Sequence, residues 1–129
     1  MVWPVKAISA EDPVSEAMVQ MDRYLIGAMP VLSAGRVVGI LTRRLVGGVV
    51  AHGLGELPAG AFMVDAHPVR PEAPLHELTR LVRDHKPKLV PVIEDDRLLG
   101  VITRTAILSA LAEGPLPGGD RVGLDALPE

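Results

Sequence analysis

Residues 39–45 read GILTRRL and residues 100–106 read GVITRTA, a separation of 61 positions. Sliding the whole chain by 61 without a gap pairs Glu11 with Glu72, Pro13 with Pro74, Glu16 with Glu77, Pro30 with Pro91, Val31 with Val92, Arg36 with Arg97 and Gly53 with Gly114. Apolar positions between these anchors stay apolar. A duplication on this scale constrains the fold more than any local pattern, because each copy must be one complete supersecondary unit with its own apolar face to bury.

Both copies carry the same local logic. In the first, VKAIS reads as a short strand, and EDP opens a helix with Asp12 as the expected N-cap and Pro13 in the first turn, where a missing N–H costs nothing. Val14, Ala17, Met18, Met21 and Leu25 recur at helical spacing and predict one buried stripe, with Ser15, Glu16, Gln20, Asp22 and Arg23 facing water. Gly27 is the expected terminator. AMPVLS and VVGIL read as strands of a hairpin joined by the turn SAGR. A second helix runs from about Arg43 to His52 and is closed by Gly53, with Gly47 and Gly48 inside it marking close backbone packing.

The second copy repeats the order: a strand around Val69, a helix from Pro74 with Leu75, Leu78, Leu81 and Val82 inward, strands LVPVIE and RLLGVIT, and a helix to Ala112. The expected organisation is a first repeat over 1–53, a linker over 54–61, a second repeat over 62–114 and a Gly/Pro-rich tail over 115–129.

Composition narrows the function. Hydrophobic residues make up 48% of 129, yet there is one Trp, one Tyr and one Phe, so aliphatic side chains must fill the core and an aromatic base-stacking platform is not expected. A net charge of −3 disfavours nucleic-acid and membrane-surface roles, which exploit a basic excess. The absence of cysteine excludes disulfides, thiolate metal sites and a cysteine nucleophile, and suits a reducing compartment. No apolar run approaches the roughly 20 residues of a membrane span, and Met1 to Ala10 lacks a signal-peptide core. A cytoplasmic protein is expected.

The doubled order of strand, helix, hairpin ending in glycine, two apolar residues and threonine, then helix resembles the CBS-domain family, in which two copies form a Bateman module. The stretches MPV with GILTRR, and VPVIEDDRLLGVITRT, carry the resemblance from about Val5 to Leu111. AHGLGELPAGAFM followed by GVITRTAILSAL looks like the CBS pair inside certain bacterial tRNA nucleotidyltransferase or poly(A)-polymerase-like proteins, whose catalytic domains lie outside it.

What this resemblance implies is an α+β fold of tandem CBS domains, two β-α-β-β-α repeats related by a pseudo-twofold axis, with clefts between them that commonly hold AMP, ADP, ATP or a related adenosyl ligand. Ser9, Met29, Pro30, Thr42 and Arg43 in the first repeat, and Arg70, Val90, Pro91, Thr103 and Arg104 in the second, are the candidate ligand-binding residues. The resemblance also implies a homodimer through the helices. A threonine before a helix offers a hydroxyl and free N–H groups to a phosphate, and a guanidinium adds charge-assisted bonds. Where family members that grip ribose place an aspartate, three residues after the threonine, this chain has Leu45 and Ala106. Losing two hydrogen bonds to a charged acceptor costs a ligand roughly 3 kcal/mol, about a hundredfold in affinity.

Plainer roles compete at these positions. Thr42 and Thr103 are also good helix N-caps, and Arg43, Arg44 and Arg104 also suit a solvated helix start or a surface ion pair. His67, His76 and His85 fall nine apart, but nine residues place His76 and His85 on opposite faces of one helix, which disfavours a metal site. Glu94, Asp95 and Asp96 read as a hairpin turn. No nucleophile triad, Walker loop or carboxylate pair emerges, so no enzymatic activity and no required cofactor are expected.

Overall fold

A computed structural model describes residues 6–112; the 115–129 tail lies outside the described residues. The elements are β1 (Ile8–Ser9), α1 (Val14–Tyr24), β2 (Ala28–Ser33), β3 (Arg36–Thr42), α2 (Arg43–Ala51), a 3-10 turn (Ala59–Ala61), α3 (Leu75–His85), β4 (Leu89–Glu94), β5 (Arg97–Thr103) and α4 (Arg104–Ala112). Adding 61 to either end of α1, β2, β3 or α2 gives the corresponding end of α3, β4, β5 or α4. The α+β class is as expected. The chain forms two compact units, one over Lys6–Ala66 and one beginning at His67.

In the first unit β1 lies parallel to β2 and β2 antiparallel to β3. Pro30 stands opposite Ile40 within β2, a position where its missing N–H breaks no ladder bond. The Ile40 N–H and carbonyl point the other way and bond to Val64, at 2.9 and 2.8 Å. The sheet and both helices enclose Val14, Ala17, Met21, Met29, Val31, Leu41, Val46 and Ala59. The second unit has the same hairpin, with a register shift between Val92 and Ile93 that repeats the one between Val31 and Leu32. Val69 bridges Val92 where β1 would lie. Its core is Val69, Leu75, Leu78, Val90, Val92, Ile102, Ile107 and Ala110 among others.

Both hairpin turns need left-handed backbone at two successive positions. Ala34 and Gly35 supply it at φ 52° and 78°, and Asp95 and Asp96 at 53° and 64°. Such a turn matches strand twist. The acidic run in the second repeat is therefore a hairpin tip, as the turn reading expects.

Three local expectations are corrected: the cap of α1, the burial of Leu25 and the residue that ends α1. Asp12 does not cap α1: the cap position is Pro13, and the Asp12 carboxylate accepts from the Ser9 N–H at 3.3 Å. The orphan N–H groups of Val14 and Ser15 donate instead to the carbonyls of Leu57 and Gly55, each at 2.9 Å, while Ala59 and Gly60 donate to Asp12 and Ala10. Residues 55–64 are thus bonded into the first unit. Leu25 is not part of the buried stripe. It is 87% exposed because α1 stops at Tyr24 and the chain turns through Leu25 in the left-handed region, φ 54°, two residues before the expected terminator Gly27.

Candidate functional site

Each hairpin runs from a turn end to a helix end, and the candidate residues divide between the two. Ser9 pairs with Leu32 near the turn, whereas Thr42 pairs with Ala28 at the far end of β2. Four residues of strand separate these levels, about 13 Å. The second unit repeats the division: Val69, next to Arg70, bridges Val92, and Thr103 pairs with Leu89. Within one repeat, then, Ser9 and Thr42 do not meet, nor do Arg70 and Thr103.

At the helix ends the polar groups already have partners. The Thr42 hydroxyl accepts from the Leu45 N–H at 3.3 Å, and the Thr103 hydroxyl accepts from the Ala106 N–H at 3.1 Å. Both are N-caps. The Arg43 N–H donates to the Gly27 carbonyl at 2.8 Å and the Arg104 N–H to that of Lys88 at 3.1 Å.

The two guanidinium groups close the preceding helices. Arg43 donates to the carbonyls of Met21 and Ile26 at 2.7 and 3.1 Å and to the Asp22 carboxylate at 2.6 Å. Arg104 donates to the Pro87 carbonyl at 3.0 Å and to that of Lys86. Leu25 and Lys86 end α1 and α3 in the left-handed conformation, and a cation there also meets the negative end of the helix. Asp22 was not legible as a partner, because its counterpart 61 residues on is Arg83.

Three residues past each threonine the site is apolar in structure as well as in sequence. Ala106 is 8% exposed within the second core, and Leu45 packs against the first. Met29, Pro30, Val90 and Pro91 are buried. Thr42 and Leu45 share an open groove of about 450 Å³ with Arg44, Gly48, Val49, His52 and Leu54. It is a mostly apolar surface along α2.

At the turn ends, the Ser9 hydroxyl donates to the Glu11 carboxylate at 2.7 Å. That bond, followed by one from the Glu11 backbone, holds the Glu11 carboxyl below its ordinary range against a small opposing effect of burial. Arg70 borders a groove of about 800 Å³ with Glu72, Glu77, Glu94, Asp95 and Asp96. The sequence expectation named Arg70 but not these carboxylates, although the turn assignment already brought Glu94 to Asp96 together.

The chain matches the CBS domain family over residues 1–46 and 59–113. An A-adding tRNA nucleotidyltransferase from Geobacter sulfurreducens is 35% identical over 115 residues, which are 88% of this chain and 13% of that protein. The chain therefore spans about an eighth of that relative's length. Among solved structures, the CBS-domain containing protein ATU1752 from Agrobacterium tumefaciens is 26% identical with a TM-score of 0.70, covering 83% of this chain and 89% of that one. The CBS domain pair of protein MJ0100, in complex with 5′-methylthioadenosine and S-adenosyl-L-methionine, is 20% identical with a TM-score of 0.73, covering 88% and 92%. With two matched repeats, coincident element boundaries and paired threonine caps, this chain belongs to the CBS-domain family as a tandem pair.

Proposed function

We propose that this chain is a non-catalytic regulatory module that acts through protein contacts, chiefly self-association along its helices. The carrying observation is the groove along α2: the threonine that would meet a phosphate is capping its own helix, and Leu45 makes the adjoining surface apolar. A polar ribose gains little there, whereas an apolar partner surface removes the groove from water. The likeness to a nucleotidyltransferase extends the proposal to a CBS pair that works beside a catalytic region in the cytoplasm.

A Cβ at Gly48 would meet open space, so Gly48→Arg fills the groove without disturbing the core. Light scattering after size exclusion is expected to show a dimer for the natural chain, unchanged by ATP, and a monomer for Gly48→Arg. A natural chain that is monomeric at micromolar concentration overturns the proposal.

A second reading, an adenosyl sensor, is favoured by the ligands of the MJ0100 pair. It predicts a raised melting temperature with AMP, ADP, ATP, NAD or S-adenosylmethionine at millimolar concentration. No rise with any of them dismisses it.

A further inference from the structure

Lys6 and Tyr24 stand 61 residues before His67 and His85. In the first unit the Lys6 ammonium lies over the Tyr24 ring, with Nζ 4.1 Å from its centroid. In the second, the imidazoles of His67 and His85 stack, with centroids 4.0 Å apart and planes inclined by 19°. Both repeats therefore fasten the residue two places ahead of Ile8 or Val69 to the last residue of their first helix by a ring contact. The position is the same and the chemistry is not.

A lysine over a phenol ring is held by its charge, which an ammonium keeps across neutral and mildly acidic conditions. Two imidazoles stack while at least one is neutral, but a pair of imidazolium cations 4.0 Å apart repel one another. Histidine is the side chain that changes charge between about pH 5 and pH 8.

Among the described residues, the charged groups beside the stack along the chain are mostly cations or already paired. Asp84 of α3 is bonded to Arg83 at 3.1 Å, and Lys86 follows the helix. The carbonyls of Lys86 and Pro87, which follow His85 along the chain, accept from Arg104 of α4. Lys88 precedes β4, and Asp65 and Arg70 flank His67 along the chain.

We propose that the His67–His85 stack is a proton-sensitive clasp, closed at neutral pH and opened in acid, while its counterpart Lys6–Tyr24 stays closed. His67 is the first residue of the second unit and follows the 55–64 segment bonded into the first. Opening the clasp releases this junction from α3 and leaves both cores intact.

Hydrogen exchange followed by mass spectrometry, near pH 8 and near pH 5 and corrected for intrinsic rates, tests this inside one molecule. In the natural chain, acid is expected to cost residues 65–69 and the last turn of α3 several-fold more protection than residues 6–8 and the last turn of α1. His85→Phe keeps a stacking ring without the second charge, and His67→Phe does so from the other side. In each, residues 65–69 are expected to be equally protected at both pH values. Equal loss in both units of the natural chain, or acid-dependent loss that persists in the phenylalanine variants, overturns the proposal.

Discussion

Arg43 meets Asp22 at 2.6 Å, which joins the first residue of α2 to the last turn of α1. The ion pair is exposed on both sides, so most of the strength of this junction comes from the carbonyls of Met21 and Ile26 that the same guanidinium bridges. Arg43→Ala is expected to destabilise the fold by about 1–2 kcal/mol, measured by urea unfolding. Arg43→Lys should recover less than half of that, because one ammonium cannot span both carbonyls and the carboxylate.

The end of α1 can be improved. Leu25 holds φ 54° with its side chain 87% exposed, so a β-carbon is strained there for little burial in return. Leu25→Gly is expected to raise stability by about 0.5–1 kcal/mol, seen as a higher melting temperature.

Gly39 works in the opposite sense. A β-carbon at Gly39 would lie 2.6 Å from the Met63 sulfur and 2.9 Å from the Met63 β-carbon, and the second of these cannot swing away. Gly39→Ala should cost about 1–3 kcal/mol in thermal or chemical unfolding. It should also weaken protection of the neighbouring Ile40–Val64 pair, which hydrogen exchange reports.

Glu11 supplies a pH-dependent contribution. Its native carboxyl titrates below the ordinary range, first because the Ser9 hydroxyl donates to it. A lowered native value means a contribution present above the ordinary carboxylate range and lost as pH falls through the native value. Ser9→Ala is expected to move the Glu11 titration upward, read from carboxyl carbon resonances. An unchanged titration would show that the backbone bond alone sets it.

The offset of 61 made the order and the ends of most elements readable, because the same pattern appears twice and chance departures in one copy are checked by the other. What escaped it was decided by contacts distant along the chain. Asp12 has the right chemistry for a cap, but residues 55–57 reach the helix start first. The Gly and Pro content of residues 55–60 resembles that of a free connection, yet the backbone at Gly55 and Gly60 runs close to Ser15 and Ala10, where an added β-carbon would stand 3.3 and 3.1 Å from theirs. Leu25 fitted the helical period, but periodicity does not say where a helix stops.

The candidate site was legible as a set of residues and not as an arrangement. Thr42, Arg43, Thr103 and Arg104 stand out because they recur, yet recurrence is equally the mark of a shared structural duty, and the structure gives each a partner within its own repeat. Ser9 and Arg70 sit at the other end of each hairpin, a separation that only strand register reveals.

Because Arg43 begins one helix and holds the end of another, the two helices of a repeat are tied to each other across the hairpin between them. A cut inside that span would leave a guanidinium facing no carbonyls and a helix end without its cation. The smallest portion that keeps this tie whole is the entire motif, which is the unit that recurs 61 residues on.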